Sequence, residues 1–162
     1  MPKRKSGLAP DELAVVLTEL HSDLESLRQL AARVAASYPE SRAAEAFKRA
    51  VAAVAAFVAE LEGASVPLSE VGVAARARDA FTFAEHREAA LRLHQLTDSV
   101  AALFVRAANS YGVSSKIAKL GQRASRSITP LSLRLEDIVA NEHPHDSDAY
   151  KVYSRYYVEK QT

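Results

Sequence analysis

Residues 10–34 read PDELAVVLTELHSDLESLRQLAARV, and within them Leu13, Leu17, Leu20, Leu24, Leu27, Ala31 and Val34 alternate four and three apart. Positions three and four apart lie on one side of an α-helix, so this spacing predicts a helix with a single aliphatic seam. Its start is also marked. Pro10 has its backbone angle preset for a first helical turn, and Asp11 and Glu12 place carboxylates at the positive end of the helix dipole.

The same rhythm recurs downstream. Ala44, Phe47, Val51, Val54, Val58 and Leu61 predict a second helix. Ser37-Tyr38-Pro39-Glu40 has the spacing of a capping box, and is read as ending the first helix while starting the second. Gly63, Ala64 and Ser65 form a loop, and Pro67 opens a shorter helix to about Asp79. Thr82 with Glu85 repeats the capping-box spacing before a long helix to Tyr111, its seam marked by Leu93, Leu96, Val100, Leu103 and Ala107. A break near Thr82 and one bent helix are both compatible with this pattern. Gly112 suits a left-handed helix end and Ser114 the next cap; Pro130 then stops or kinks the helix that runs to about Ser127. Leu131 to Val139 is helical, and residues 142–147 form a polar loop with Pro144.

The expected fold class is therefore all-α: an antiparallel bundle of about five to six helices with short loops. Residues 1–9 are expected as a flexible basic tail, 10–141 as the bundle, and 148–162 as a tyrosine-rich C-terminal helix.

Composition agrees. Alanine-rich and poor in glycine and proline, the 162-residue chain is biased towards helix and suits one domain. Cysteine is absent, which excludes disulfides, thiolate metal sites and a cysteine nucleophile and fits a cytoplasmic setting. The longest apolar run, residues 50–59, is about half of the roughly 20 residues a bilayer demands, so no membrane insertion is expected.

The formal charge of +1 conceals an uneven layout. No acid lies between Asp98 and Glu136, whereas Arg106, Lys116, Lys119, Arg123, Arg126 and Arg134 all do. On a helix at about 100° per residue, Lys116, Lys119, Arg123 and Arg126 share one narrow arc, and Ile117, Leu120, Ala124 and Ile128 share another that faces the core. A cationic stripe beside Ser115 and Gln122 can neutralise phosphates and reach base edges; the plainer reading is the solvated side of an amphipathic helix.

The run Ala108-Asn-Ser-Tyr-Gly-Val-Ser114, followed by Ser115-Lys-Ile-Ala-Lys-Leu-Gly-Gln-Arg123, resembles the centre of a helix-turn-helix motif. Ala108, Gly112, Val113, Ser114 and Ala118 stand at matching positions, whereas Gly121 replaces the usual aliphatic residue. The resemblance covers residues 108–126 and implies that residues 114–127 meet DNA or RNA. A second pair, Arg87 and His94, is similar to the signature of the HEPN family, in which an arginine precedes a histidine by a few residues. That resemblance implies RNA cleavage, with His94 as general base and Arg87 stabilising the phosphorane.

Further side chains bear on chemistry. Glu142, His143, His145, Asp146 and Asp148 are dense enough to attract a metal, but Pro144 denies them a regular helix and no second cluster completes a shell, so no metal and no cofactor are expected. His86 and His94 stand too far apart to share one ion, and His21 sits alone beside the first seam. Tyr150, Tyr153 and Tyr157 share a face if their segment is helical, as a partner-binding surface would, or else dock on their own bundle. No constellation of nucleophile, base and orienting group is visible. The expected function is a non-enzymatic binding or assembly protein that associates with itself, a protein partner or nucleic acid, with a purely protein-binding scaffold or a HEPN-like ribonuclease as alternatives.

Overall fold

The computed structural model describes residues 7–63, 79–145 and 148–154, with the side chain of Tyr150 excepted. Among them there is no strand, and five α-helices stand in the order α1 (Pro10–Ser37), α2 (Arg42–Glu62), α3 (Phe83–Tyr111), α4 (Lys116–Ile128) and α5 (Leu131–Glu142), followed by one 3-10 turn, Ala149–Lys151. No described helix is long and apolar enough to cross a membrane. The helix expected from Pro67 lies outside the described residues.

α1 buries Leu20, Leu24, Leu27, Ala31 and Val34 of its seam, while Leu13 and Leu17 are only half-covered. α2 is buried far more broadly: Ala43, Ala50, Ala53, Phe57 and Ala59 join the seam in the core. The cause is its position, since α1, α4 and α5 all pack on it. A stripe one coiled-coil seam wide serves one neighbour, and three neighbours need small residues on further sides. α3 likewise packs on α1, α4 and α5.

Helix ends differ from expectation in two places. Ser41, not Ser37, caps α2: its hydroxyl oxygen accepts from the Ala44 N–H at 3.0 Å. Ser37 closes α1 instead, and donates its hydroxyl to the Asp79 carbonyl at 2.9 Å. At α4 the cap is Ser115 rather than Ser114, accepting from the Ala118 N–H at 3.1 Å. Thr82 does cap α3, in a reciprocal box with Glu85, so the chain breaks there.

Polar ties bind the long helices at their edges. The Ser99 hydroxyl donates to Asp23 at 2.6 Å, joining α3 to α1, and Arg33 of α1 pairs with Glu85 at 2.6 Å while its guanidinium lies 4.7 Å from the Phe81 ring centre. Arg33 holds the Glu85 carboxyl down at about 2, aided by the Thr82 amide. Residues 7–9, expected as part of a free tail, are held: Gly7 donates to the Ser110 carbonyl at 3.2 Å, and Leu8 packs against the core.

Candidate functional site

α4 carries the basic stripe, and its inner side explains its bearing. Gly121 faces α2 and α3; a β-carbon there would stand 2.9 Å from Phe57 Cζ and 3.3 Å from Phe104 Cδ2. Phe57 is fully buried, and its ring fills the space beside the glycine. Ala118, Ala124 and Ile128 are buried alongside, while Ile117 and Leu120 are half-covered. With this side turned inward, Lys116, Lys119, Gln122, Arg123 and Arg126 are all exposed. Lys116 pairs with Glu60 of α2 at 2.7 Å; Lys119, Arg123 and Arg126 take part in no ion pair among the described residues. Ser115 spends its acceptor on the helix cap. Ala108 is buried, and Gly112 adopts a φ of 93°, a backbone state that favours glycine.

A second constellation, which the sequence reading missed, lies where the start of α3 meets the end of α5. His86 is fully buried, with Nε2 3.0 Å from Glu142 Oε2 and Nδ1 2.8 Å from the Tyr153 hydroxyl. A carboxylate only accepts, so Nε2 carries the hydrogen and Nδ1 accepts from Tyr153. Burial lowers the pKa of His86 and outweighs the pull of Glu142 in the other direction. Glu142 Oε2 also accepts from the Tyr38 hydroxyl at 2.9 Å, which in turn accepts from the Phe81 N–H at 2.8 Å. Burial raises the phenol pKa of both Tyr38 and Tyr153, so each stays protonated and able to donate. The ring of His143 meets His86 edge-on at 6.0 Å and Phe83 edge-on at 5.6 Å. Its Nε2 is buried without a hydrogen-bond partner.

This arrangement corrects the reading of the C-terminal tyrosines. Tyr153 is not a partner-facing residue: only 2% exposed, it serves its own bundle through His86. Where an α-helix from residue 148 was expected, residues 148–154 hold a single 3-10 turn. Tyr157 lies outside the described residues. His94 is likewise engaged, donating Nε2–H to the Tyr153 carbonyl at 2.9 Å, while Arg87 is exposed.

Sequence spacing offered no second cluster to go with Glu142 and His143; the fold brings His86 to them, and the donor atoms of His86, Glu142 and His143 all lie within 4.8 Å of one another. A signal existed. His86 falls seven residues before Leu93, on the buried seam of α3, where a histidine must find polar partners. Sequence spacing named no partner because Glu142 is 56 residues away.

What these features define is a class: an all-helical bundle with an exposed cationic helix on one side and a partly buried histidine–carboxylate cluster elsewhere. No family model, no curated protein and no solved structure matches the chain.

Proposed function

We propose that the chain is a non-enzymatic, cytoplasmic binding protein that contacts nucleic acid through residues 114–127, using the outer side of α4 as a phosphate-binding surface. One observation carries this reading: Lys119, Arg123 and Arg126 are exposed, share one helix side and have no ion-pair partner among the described residues. Surface lysines and arginines that answer no local acid keep their full attraction for a polyanion, and releasing condensed counterions from phosphates rewards their contact. The sequence window 99–135 adds Arg106 and Arg134, both exposed, and no carboxylate. Gln122, exposed in the same stripe, is the residue able to read a base edge. The finer architecture belongs to the same reading, an antiparallel bundle of five to six helices acting as a rigid support.

The test is an anisotropy titration of labelled generic duplex DNA and RNA at low salt, repeated with Lys119→Glu plus Arg123→Glu. Binding that disappears in the double variant is the expected result. No binding by the unaltered chain, or binding indifferent to the two substitutions, rejects the reading. The HEPN-like alternative gains nothing from the site, since His94 spends Nε2 on the main chain at Tyr153.

A further inference from the structure

We propose that His86, Glu142 and His143 form a binding site for one divalent transition-metal ion of the zinc class, with Tyr153 and Tyr38 as its outer shell. Two imidazoles and a carboxylate are a donor set that suits such ions, and three protein ligands leave a fourth position for water. The cluster joins residues that are far apart in sequence, so it is made by the fold rather than by a histidine-rich tract.

Zinc holds nitrogen and oxygen donors at about 2.0–2.2 Å, which puts neighbouring donors around a tetrahedral ion roughly 3.3 Å apart. His86 Nε2 and Glu142 Oε2 are 3.0 Å apart, already at that edge length. All three donor atoms lie within 4.8 Å, so closure needs a movement of about 1.5 Å or less from side chains at the end of α5. His143 supplies the independent sign of a missing ligand: its Nε2 is buried and unsatisfied, which in a protein interior costs free energy unless an ion or water answers it.

The surroundings match what a ligating histidine and carboxylate require. A metal-bound His86 must give up hydrogen at Nε2 and carry it at Nδ1, where the Tyr153 oxygen stands at 2.8 Å ready to accept. Because a phenol both donates and accepts, the tautomer changes without losing that hydrogen bond. Glu142 is oriented by the Tyr38 hydroxyl, itself fixed by the Phe81 amide. The rings of Phe81 and Phe83 wall the two histidines.

The experiment is calorimetric titration of the untagged, chelator-stripped chain with Zn2+, paralleled by Co2+ absorption spectroscopy. One ion per chain and the visible d–d bands of four-coordinate cobalt are expected. His143→Ala should weaken binding at least tenfold; since it also removes the ring packed edge-on against His86 and Phe83, the metal-free melting temperature is measured beside it to confirm that the variant is folded. Glu142→Gln should weaken binding comparably. Tyr153→Phe should cost about 10–100-fold through the outer shell. His145→Ala, at an exposed neighbour, should bind as the unaltered chain does. Absence of one-to-one binding, undiminished binding in His143→Ala, or binding that depends on His145 would each overturn the proposal.

Discussion

Phe57 of α2 and Gly121 of α4 meet so closely that a single methyl group on the glycine would stand 2.9 Å from the ring. Phe57 is wholly enclosed and a half-covered Phe104 stands on the other side, so the nearer ring, Phe57, has no room to swing away. Gly121→Ala should therefore destabilise the chain by about 1–3 kcal/mol of overpacking, against roughly 1 kcal/mol gained in helix propensity. Thermal unfolding checks the sign, and combining it with Phe57→Leu should recover part of the loss. A Gly121→Ala chain as stable as the parent would show that α4 sits further from α2.

Tyr153→Phe removes a hydroxyl and leaves His86 Nδ1 buried without its partner. A loss of about 1–2 kcal/mol in urea unfolding is expected. Hydrogen exchange at residues 148–154 should quicken, because one of the two histidine hydrogen bonds from α3 to Tyr153 is then lost.

Asp23 gives a pH dependence of known sign. Burial holds its carboxyl above the usual 3.8, with Glu19 adding to the rise, although the Ser99 hydroxyl opposes it. The folded chain thus keeps a proton that the unfolded chain has released, and this contribution to stability falls as pH rises from 3.8 through the raised folded value. Asp23→Asn retains an acceptor for Ser99 and carries no charge, so it should stabilise the chain at pH 7 by about 0.5–1 kcal/mol. The gain should vanish at pH 3. Glu85 acts oppositely: its lowered carboxyl loses its contribution as pH falls from 4.5 towards about 2. Urea midpoints of parent and variant across pH 3–7 separate the two.

Lys116 and its neighbours should not weigh equally in nucleic-acid binding. Lys116 already answers Glu60, whereas Lys119, Arg123 and Arg126 answer nothing among the described residues. Lys116→Ala should weaken duplex binding less than Lys119→Ala or Arg123→Ala. With three unpaired cations on phosphates, log K should fall against log salt with a slope of about −3. A flat salt response would count against phosphate contact by this helix.

Seams and caps were legible because they are local: Leu20 to Val34 repeats within each two turns, and Thr82 with Glu85 within one. The caps at Ser41 and Ser115 were misplaced by four residues and by one, since serines crowd both stretches and only backbone geometry selects among them. The exposure of Lys119, Arg123 and Arg126 followed from helical periodicity. The cluster of His86 with Glu142, His143 and Tyr153 did not, because nothing local in the sequence records which helix end will lie beside which. Gly121 was visible as an oddity in a motif, and only the Phe57 ring explains it.

Two histidines about two turns apart on α3 grip one residue, His86 by the Tyr153 hydroxyl and His94 by its carbonyl. A pull on residue 154 would meet that grip first. Freeing the segment means uncovering Ala149, Val152 and Tyr153 as well as breaking those bonds, so the end of the chain is cemented into the bundle and comes away only with part of it.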